Sequence, residues 1–443
     1  MPDILPFKGI LYNPDKMKDL RRVVTPPYDI ITPEQQEMYY KRDEYSMVRL
    51  DLNKELPDDT ENNNRYTRSA GYLSKWLSGQ ILVPDDRPSL YFYELIYQTP
   101  DNGQKVMKGF IALCRLEEFG KGKVVPHEYT LSKPKSDRLN LLRSCQANLS
   151  FIFSLYSLPA DRINKPLQGG IGNTPPKMEV MDDQGYRHRL WSVNDPALIE
   201  LVKRELKDQT VYIADGHHRY ESSLNYKNEV RKNRGTNAGE MPSDYVMMYF
   251  ANMDEPGLTI LPTHRLIYDV PEAKLTGFYA NLKKNFLLKD FDFSGGREKE
   301  ARQQLLEAMK KGGPKDHLFG LYLKNEKRYT LLSLKEEAIL SNITSDKPFA
   351  WRRLDVSILQ TLILEDILGF SEESIRRQEN LCYVKDFHDA IEKTGSGAYQ
   401  AAFLLNSTKI EEIKNVTSTG ERMPQKSTYF YPKFLTGLVM YKF

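Results

Sequence analysis

Residues 211–224 read VYIADGHHRYESSL. Val211, Tyr212 and Ile213 favour a strand, whereas Tyr220 and Leu224 stand four apart, as neighbours on one helical face do. An acid, a glycine, two histidines and an arginine therefore fall where a strand becomes a helix. First-turn N–H groups of a helix have no internal partner and carry partial positive charge, so such a junction attracts anions, phosphate above all. Gly216 lets the backbone turn tightly or approach a ligand, and Arg219 offers a forked donor to phosphate oxygens. Asp215 can hold a magnesium ion or accept a proton, while His217 and His218 are donors whose charge follows pH. The plainer reading is a helix N-cap by Asp215 with an exposed polar first turn; five such residues together weigh against it. A zinc ion shared by His217 and His218 is disfavoured, since adjacent residues point roughly 100° apart on a helix and to opposite faces of a strand.

Outward from this junction the chain alternates between the two periods. Tyr66, Leu73, Trp76 and Leu77 predict an amphipathic helix ending at Gly79. SLYFYELIYQ and KVMKGFIALCRL flank PDNG and predict a β-hairpin over residues 89–116, and EVMDDQGYRHRLW predicts a second around DDQG. Residues 159–176, rich in proline and glycine, read as an exposed excursion, KNRGTNAGEMPSD as a mobile loop, and DYVMMYFANM as a central strand. Beyond residue 270 come HLFGLYLKN and RYTLLSLK, a further hairpin, and LDVSILQTLILEDILG, a helix with a buried face. The expected class is mixed α+β with two regions: a motif-bearing α/β region, 1–270, and an α+β region, 271–443, whose last segment packs back near the site.

Composition narrows the function classes. The chain has 443 residues, 40% hydrophobic, enough for more than one core. Its 63 basic and 60 acidic side chains nearly cancel, and no basic block suggests nucleic acid or a membrane anchor. Three cysteines in no CxxC pairing support neither a disulfide framework nor a cysteine zinc site. With no secretory leader and no apolar run of roughly 18 residues, a cytoplasmic protein is expected.

Three further stretches hold polar residues that a connector does not need. PHEYTLSKPKSDR brings His127, Glu128, Lys133, Asp137 and Arg138 within a dozen positions, and Glu128 could serve as a general base; a solvated loop with surface ion pairs is the alternative. In LPTHRL, a partly buried His264 beside a salt-bridged Arg265 is the simpler expectation. MPQKSTYFYPK sets Lys426 beside Ser427 and Thr428, as phosphate loops do, without the glycine-rich turn of a Walker motif. GxSxG, HExxH and GxGxxG are all missing, so serine hydrolases, zincins and Rossmann dehydrogenases lose support.

Taken in order, VVTPPYDII, PHEYTLSKPKSDRLNLLRS, VYIADGHHRYESSL and MPQKSTYFYPKFLTGLV resemble a prokaryotic family catalogued as a domain of unknown function, over nearly the whole chain. The DGHHR segment also resembles the phosphate-binding turn of the ParB/sulfiredoxin-like nucleotide-binding fold, as found in archaeal free-serine kinases. The resemblance implies such a core, with Asp215, Gly216, His217, His218 and Arg219 at the phosphates of ATP and their Mg²⁺, and Asp215 as the metal ligand. It implies catalytic roles for Glu128, as base, and for Asp215 and His218. Lys426, Ser427 and Thr428 then become phosphate contacts, and His127, Lys133, Asp137, Arg138 and His264 substrate contacts. The expected function is an ATP-dependent kinase of a small hydroxyl metabolite, L-serine giving O-phospho-L-serine. A nucleotide-binding regulator without chemistry and a metal-dependent phosphohydrolase are the alternatives.

Overall fold

The computed structural model describes residues 2–100, 103–130, 132–234, 239–313, 316–343 and 346–443. Asp101 and Asn102 of the PDNG turn, residues 235–238 of the expected mobile loop and the Lys133 side chain lie outside the described residues. The chain forms two compact units: Met1–Pro126, Thr130–Thr259 and Pro432–Phe443 in the first, His127–Tyr129 and Ile260–Tyr431 in the second. The architecture is mixed α and β. Among the described residues no helix is long and apolar enough to cross a membrane.

The first unit is built on one large sheet. Its strands are β1 (Ile4–Leu5), β2 (Leu90–Gln98), β3 (Gln104–Arg115), β4 (Val124–Pro126), β5 (Ile152–Tyr156), β6 (Met178–Met181), β7 (Arg187–Val193), β8 (Val211–Asp215) and β9 (Tyr245–Asn252). They lie in the order β4-β8-β5-β9-β3-β2-β7-β6, with β1 beside β3. Both hairpins form as their turn sequences dictate, β2 against β3 and β6 against β7. Every residue of β9 is buried, which its unbroken apolar run requires, since a strand inside a sheet covered on both faces has no solvent side. Each fully buried large apolar side chain contributes roughly 1.5–3 kcal/mol, so β9 anchors the unit.

Three helices bear on the site: α1 (Arg65–Ser78), α2 (Ser132–Cys145) and α3 (His217–Arg234). Asn64 caps α1, its side chain accepting from the Tyr66 and Thr67 N–H groups. The polar segment that reads as a site loop is largely α2. Pro134 is harmless in a first turn, where its N–H would be unpaired anyway, and Leu141, Leu142 and Cys145 supply a buried face. Residues 164–171 likewise form a helix, not an excursion, because Ile163, Leu167 and Ile171 are spaced by four and pack into the core.

The second unit carries an antiparallel sheet of β10 (His264–Ile267), β11 (Phe286–Asp292), β12 (Leu318–Leu323), β13 (Arg328–Leu334), β14 (Leu381–Val384) and β15 (Ala401–Leu404), ordered β11-β13-β12-β15-β10-β14. The expected hairpin is the β12–β13 pair. Helix α4 (Glu298–Lys310) covers this sheet with Ala301, Leu305 and Met309, its three buried residues, at helical spacing.

Candidate functional site

Strand β8 drives Val211 and Ile213 into the core, and its register against β5 shifts between Ile213 and Asp215. Such an irregularity re-aims the side chain that follows it, here Asp215 at the strand end. Gly216 then takes φ +91°, a conformation L side chains rarely adopt, and its carbonyl accepts the first helical hydrogen bond, from Tyr220 N at 3.0 Å. Tyr220 pins the helix start: it is fully buried, and its hydroxyl accepts from Glu117 N at 2.9 Å and donates to Glu117 O at 2.9 Å.

At this junction Asp215 is held between two cations. Arg219 Nη2 donates to its Oδ2 at 2.7 Å, and Lys433 Nζ donates to its Oδ1. Burial alone would raise the Asp215 carboxyl; Lys433 first and Arg219 second outweigh it and hold the group well below the usual carboxylate range. Two cations thus flank this carboxylate at the α3 start, with His217 buried in the first turn. Arg219 also donates through Nη1 to Ser150 Oγ at 3.2 Å and to the Phe151 carbonyl, while its buried Nε has no partner. A Cβ on Gly216 would sit 2.8 Å from that Nε, so the glycine serves both the turn and the guanidinium lying over it. Asp215, Arg219 and Lys433 line a pocket together with Pro27, Ser150 and Thr436.

A second pocket has Arg219, Arg138, Asp51 and Ser222 among its lining residues. Arg138 is 7% exposed, donates to Asp51 Oδ1 at 2.9 Å and to Asp137 Oδ2 at 2.7 Å, and stacks 3.8 Å above the ring of Tyr28 from the PPYD segment. Asp137 also accepts from Arg65 and from the Tyr66 hydroxyl. Arg138 and Asp137 thus form a buried, hydrogen-bonded charge network on the wall that Arg219 shares.

Of the remaining expected residues, His218 lies in the first turn of α3 in the first unit, whereas His127, Glu128, His264, Lys426, Ser427 and Thr428 stand in the second. His127 is buried and its Nε2 lies 2.8 Å from Thr428 Oγ1, while Glu128 bridges to Met423. Lys426 is exposed with left-handed φ, and Ser427 is buried, its hydroxyl bonded to the Pro424 carbonyl. His264 accepts from Leu405 N at 3.1 Å, and burial, then the Arg265 charge, lowers it to about 4, so it stands neutral. The structure therefore groups Asp215, Gly216 and Arg219 in one unit with Asp137 and Arg138, and His127 with Thr428 in the other.

Lys433 escapes the sequence reading. A lone lysine among aromatic residues carries no local signal, and the neighbouring Lys426-Ser427-Thr428 triplet draws the eye instead. Both Asp215 oxygens are taken by cations, and among the described residues no group of three or more His, Cys, Asp or Glu side chains is placed to hold a metal. A magnesium ion on Asp215 would have to share its oxygens with Arg219 and Lys433 or displace one of them.

Residues 4–357 match the model of a family described as protein of unknown function, DUF1015. The chain belongs to the DUF1015 family. No curated protein matches it. Solved structures similar to this DUF1015 chain include a free serine kinase in complex with AMP, 12% identical, with a TM-score of 0.34 over 72% of this chain and 88% of that one. A C-terminally truncated SbnI from Staphylococcus aureus is 11% identical with a TM-score of 0.34, over 74% and 86% of the two chains. A conserved hypothetical protein from Pyrococcus furiosus is 12% identical with a TM-score of 0.32, over 70% and 88%.

Proposed function

We propose that this DUF1015 protein is an ATP-dependent kinase of a small hydroxyl metabolite, with L-serine as acceptor and O-phospho-L-serine as product. The observation that carries the reading is the Asp215 clamp: one carboxylate holds Arg219 and Lys433 beside a helix start, giving fixed positive charge on a pocket wall. Phosphoryl transfer asks for little covalent chemistry from a protein; it needs phosphates positioned and the developing charge on their oxygens stabilised. Preorganised cations and helix N–H groups do both without reorganising during the reaction. The core is read as ParB/sulfiredoxin-like on the motif resemblance of the DGHHR turn.

Roles follow from chemistry. Arg219, Lys433 and the first-turn N–H groups grip phosphate, and Asp215 fixes both cations in place. Mg²⁺ would be held mainly by the nucleotide's phosphates and its own waters, with few protein ligands, and would neutralise charge on the phosphate oxygens. By the motif resemblance Glu128 is assigned the hydroxyl proton, His127 a substrate contact, and Lys426, Ser427 and Thr428 phosphate contacts. His217, His218, Lys133 and the Arg138–Asp137 network are assigned to substrate and nucleotide contacts.

Equilibrium binding of Mg·ATP and the rate of ADP release, measured together, test these roles. Lys433→Met and Arg219→Ala are each expected to weaken nucleotide binding by at least about tenfold, the scale of a lost charge-assisted hydrogen bond. Glu128→Gln is expected to keep nucleotide affinity and lose turnover by roughly 10²–10⁴-fold, the range for a general base. Unchanged affinity in Lys433→Met would overturn the phosphate assignment. Binding without turnover in the presence of any hydroxyl acceptor would favour the regulator.

A further inference from the structure

The sequence expectation for Arg265 is a salt bridge, and among the described residues it makes none. Arg265 is 4% exposed, yet among the described residues no carboxylate pairs with it. Two of its five N–H donors are used, one on the Thr263 carbonyl and one on the Lys426 carbonyl at 3.2 Å. Its guanidinium stands 5.2 Å from the centre of the Tyr383 ring. Strand β10 is hydrogen-bonded on both sides, to β14 and β15, so the backbone of Arg265 cannot shift to let the side chain reach water. A buried cation in this state has no counter-charge to offset its desolvation, and burial accordingly lowers Arg265 to about 10.

Arg265 is not the only group short of a partner here. The amide nitrogen of Gln425, next to the carbonyl that Arg265 reaches, is buried with no hydrogen-bond partner, and so is the hydroxyl of Thr263. Buried polar groups are nearly always satisfied, and two orphan atoms together with an arginine that lacks a counter-charge make three under-satisfied groups on two touching segments. Two of the three are obligate donors and the third is a hydroxyl that can donate. His264 does not belong to the set, because alternation along β10 turns it to the other face.

We propose that Arg265, Gln425 and Thr263 form a binding site for the carboxylate group of a small molecule. Charge selects the class: a single guanidinium in a dry site neutralises a monoanion, whereas a phosphate monoester brings about −1.5 to −2 and would leave excess negative charge buried. Geometry agrees, because a planar guanidinium with unused N–H groups matches the two oxygens of a carboxylate in fork-to-fork fashion. The carboxylate supplies the missing counter-charge, accepts from the Gln425 amide and takes the Thr263 hydroxyl proton in a hydrogen bond. The inference holds whether or not the protein transfers phosphate.

The test uses the full-length protein and the melting temperature in titrations with acetate, glycolate and L-lactate, with inorganic phosphate for comparison, all at constant ionic strength. Ligand that binds only the folded state raises the melting temperature saturably. At least one carboxylate is expected to do so at lower concentration than phosphate. Its half-saturating concentration should rise at least about tenfold in Arg265→Met and about threefold in Gln425→Leu, in line with losing a charged and a neutral hydrogen-bond partner. If Arg265→Met does not fold, Arg265→Lys, which keeps the charge and loses the fork, takes its place with the same direction expected. No saturable response to any of the three carboxylates, or an equal response in wild type and variants, overturns the site. A stronger response to phosphate than to every carboxylate overturns the monoanion assignment.

Discussion

Arg138 and Arg265 are both buried arginines stacked on a tyrosine, and they differ in what neutralises them. Burial works against the charge of each. For Arg138, the carboxylates of Asp51 and Asp137 overcome that effect and push the guanidinium above its ordinary value. For Arg265, burial goes almost unopposed and the group falls to about 10. Desolvation is thus the same starting cost, and the sign of the outcome is set by whether acids were folded in beside it. Where they were, in the first unit, the arginine is part of the fixed wall. Where they were not, in the second, the protein leaves a charge for something else to meet.

The contrast can be attacked through Asp51 first. Asp51→Ala would put Arg138 partly in the position of Arg265, and removing one partner of a buried pair costs about 3–5 kcal/mol; urea unfolding checks it, and a loss under about 1 kcal/mol would erase the distinction. A pH titration of stability sharpens the second-unit side. His264 is lowered from 6.5 to about 4 by burial and the nearby Arg265 charge. A folded value below the unfolded one means the unfolded chain takes the proton first, so stability is kept above pH 6.5 and lost as pH falls to about 4, by about 3 kcal/mol. His264→Gln should lack that loss when the two unfolding free energies are compared between pH 7 and 4.

Smaller effects separate the remaining features. Gly216→Ala forces an L side chain to φ +91° beneath the Arg219 guanidinium and should lower stability by about 1–2 kcal/mol, with a visible drop in melting temperature. Arg265→Met removes an unpaired charge and should leave stability unchanged or raise it by about 1 kcal/mol or more in the same urea experiment. A loss of 3 kcal/mol there would mean that Arg265 is neutralised within the fold, and the two arginines would no longer differ.

Strands and hairpins were the most legible parts of the chain, because apolar runs such as YVMMYFAN and turn sequences such as DDQG carry their meaning locally. The strand-to-helix junction at Asp215–His217 was legible for the same reason. Helix α2 was not, since lysine, serine and aspartate crowd its first two turns and, among the described residues, its buried face starts at Arg138 and Leu141. The site was half legible: Asp215, Gly216 and Arg219 are contiguous, whereas Lys433 lies 218 residues away and meets Asp215 only through the fold. Arg265 shows the limit in reverse. A sequence displays an arginine and nearby acids, and only three dimensions reveal that none of the acids reaches it.

The measurement that bears most directly on the phosphate-site reading is ³¹P NMR of the protein with Mg·ATP, with and without L-serine, for wild type and Lys433→Met. A serine-dependent phosphomonoester resonance in wild type that is strongly reduced in Lys433→Met is the predicted result. Intact ATP in every sample, or ADP and inorganic phosphate formed equally without serine, would contradict a kinase built on the Asp215 clamp.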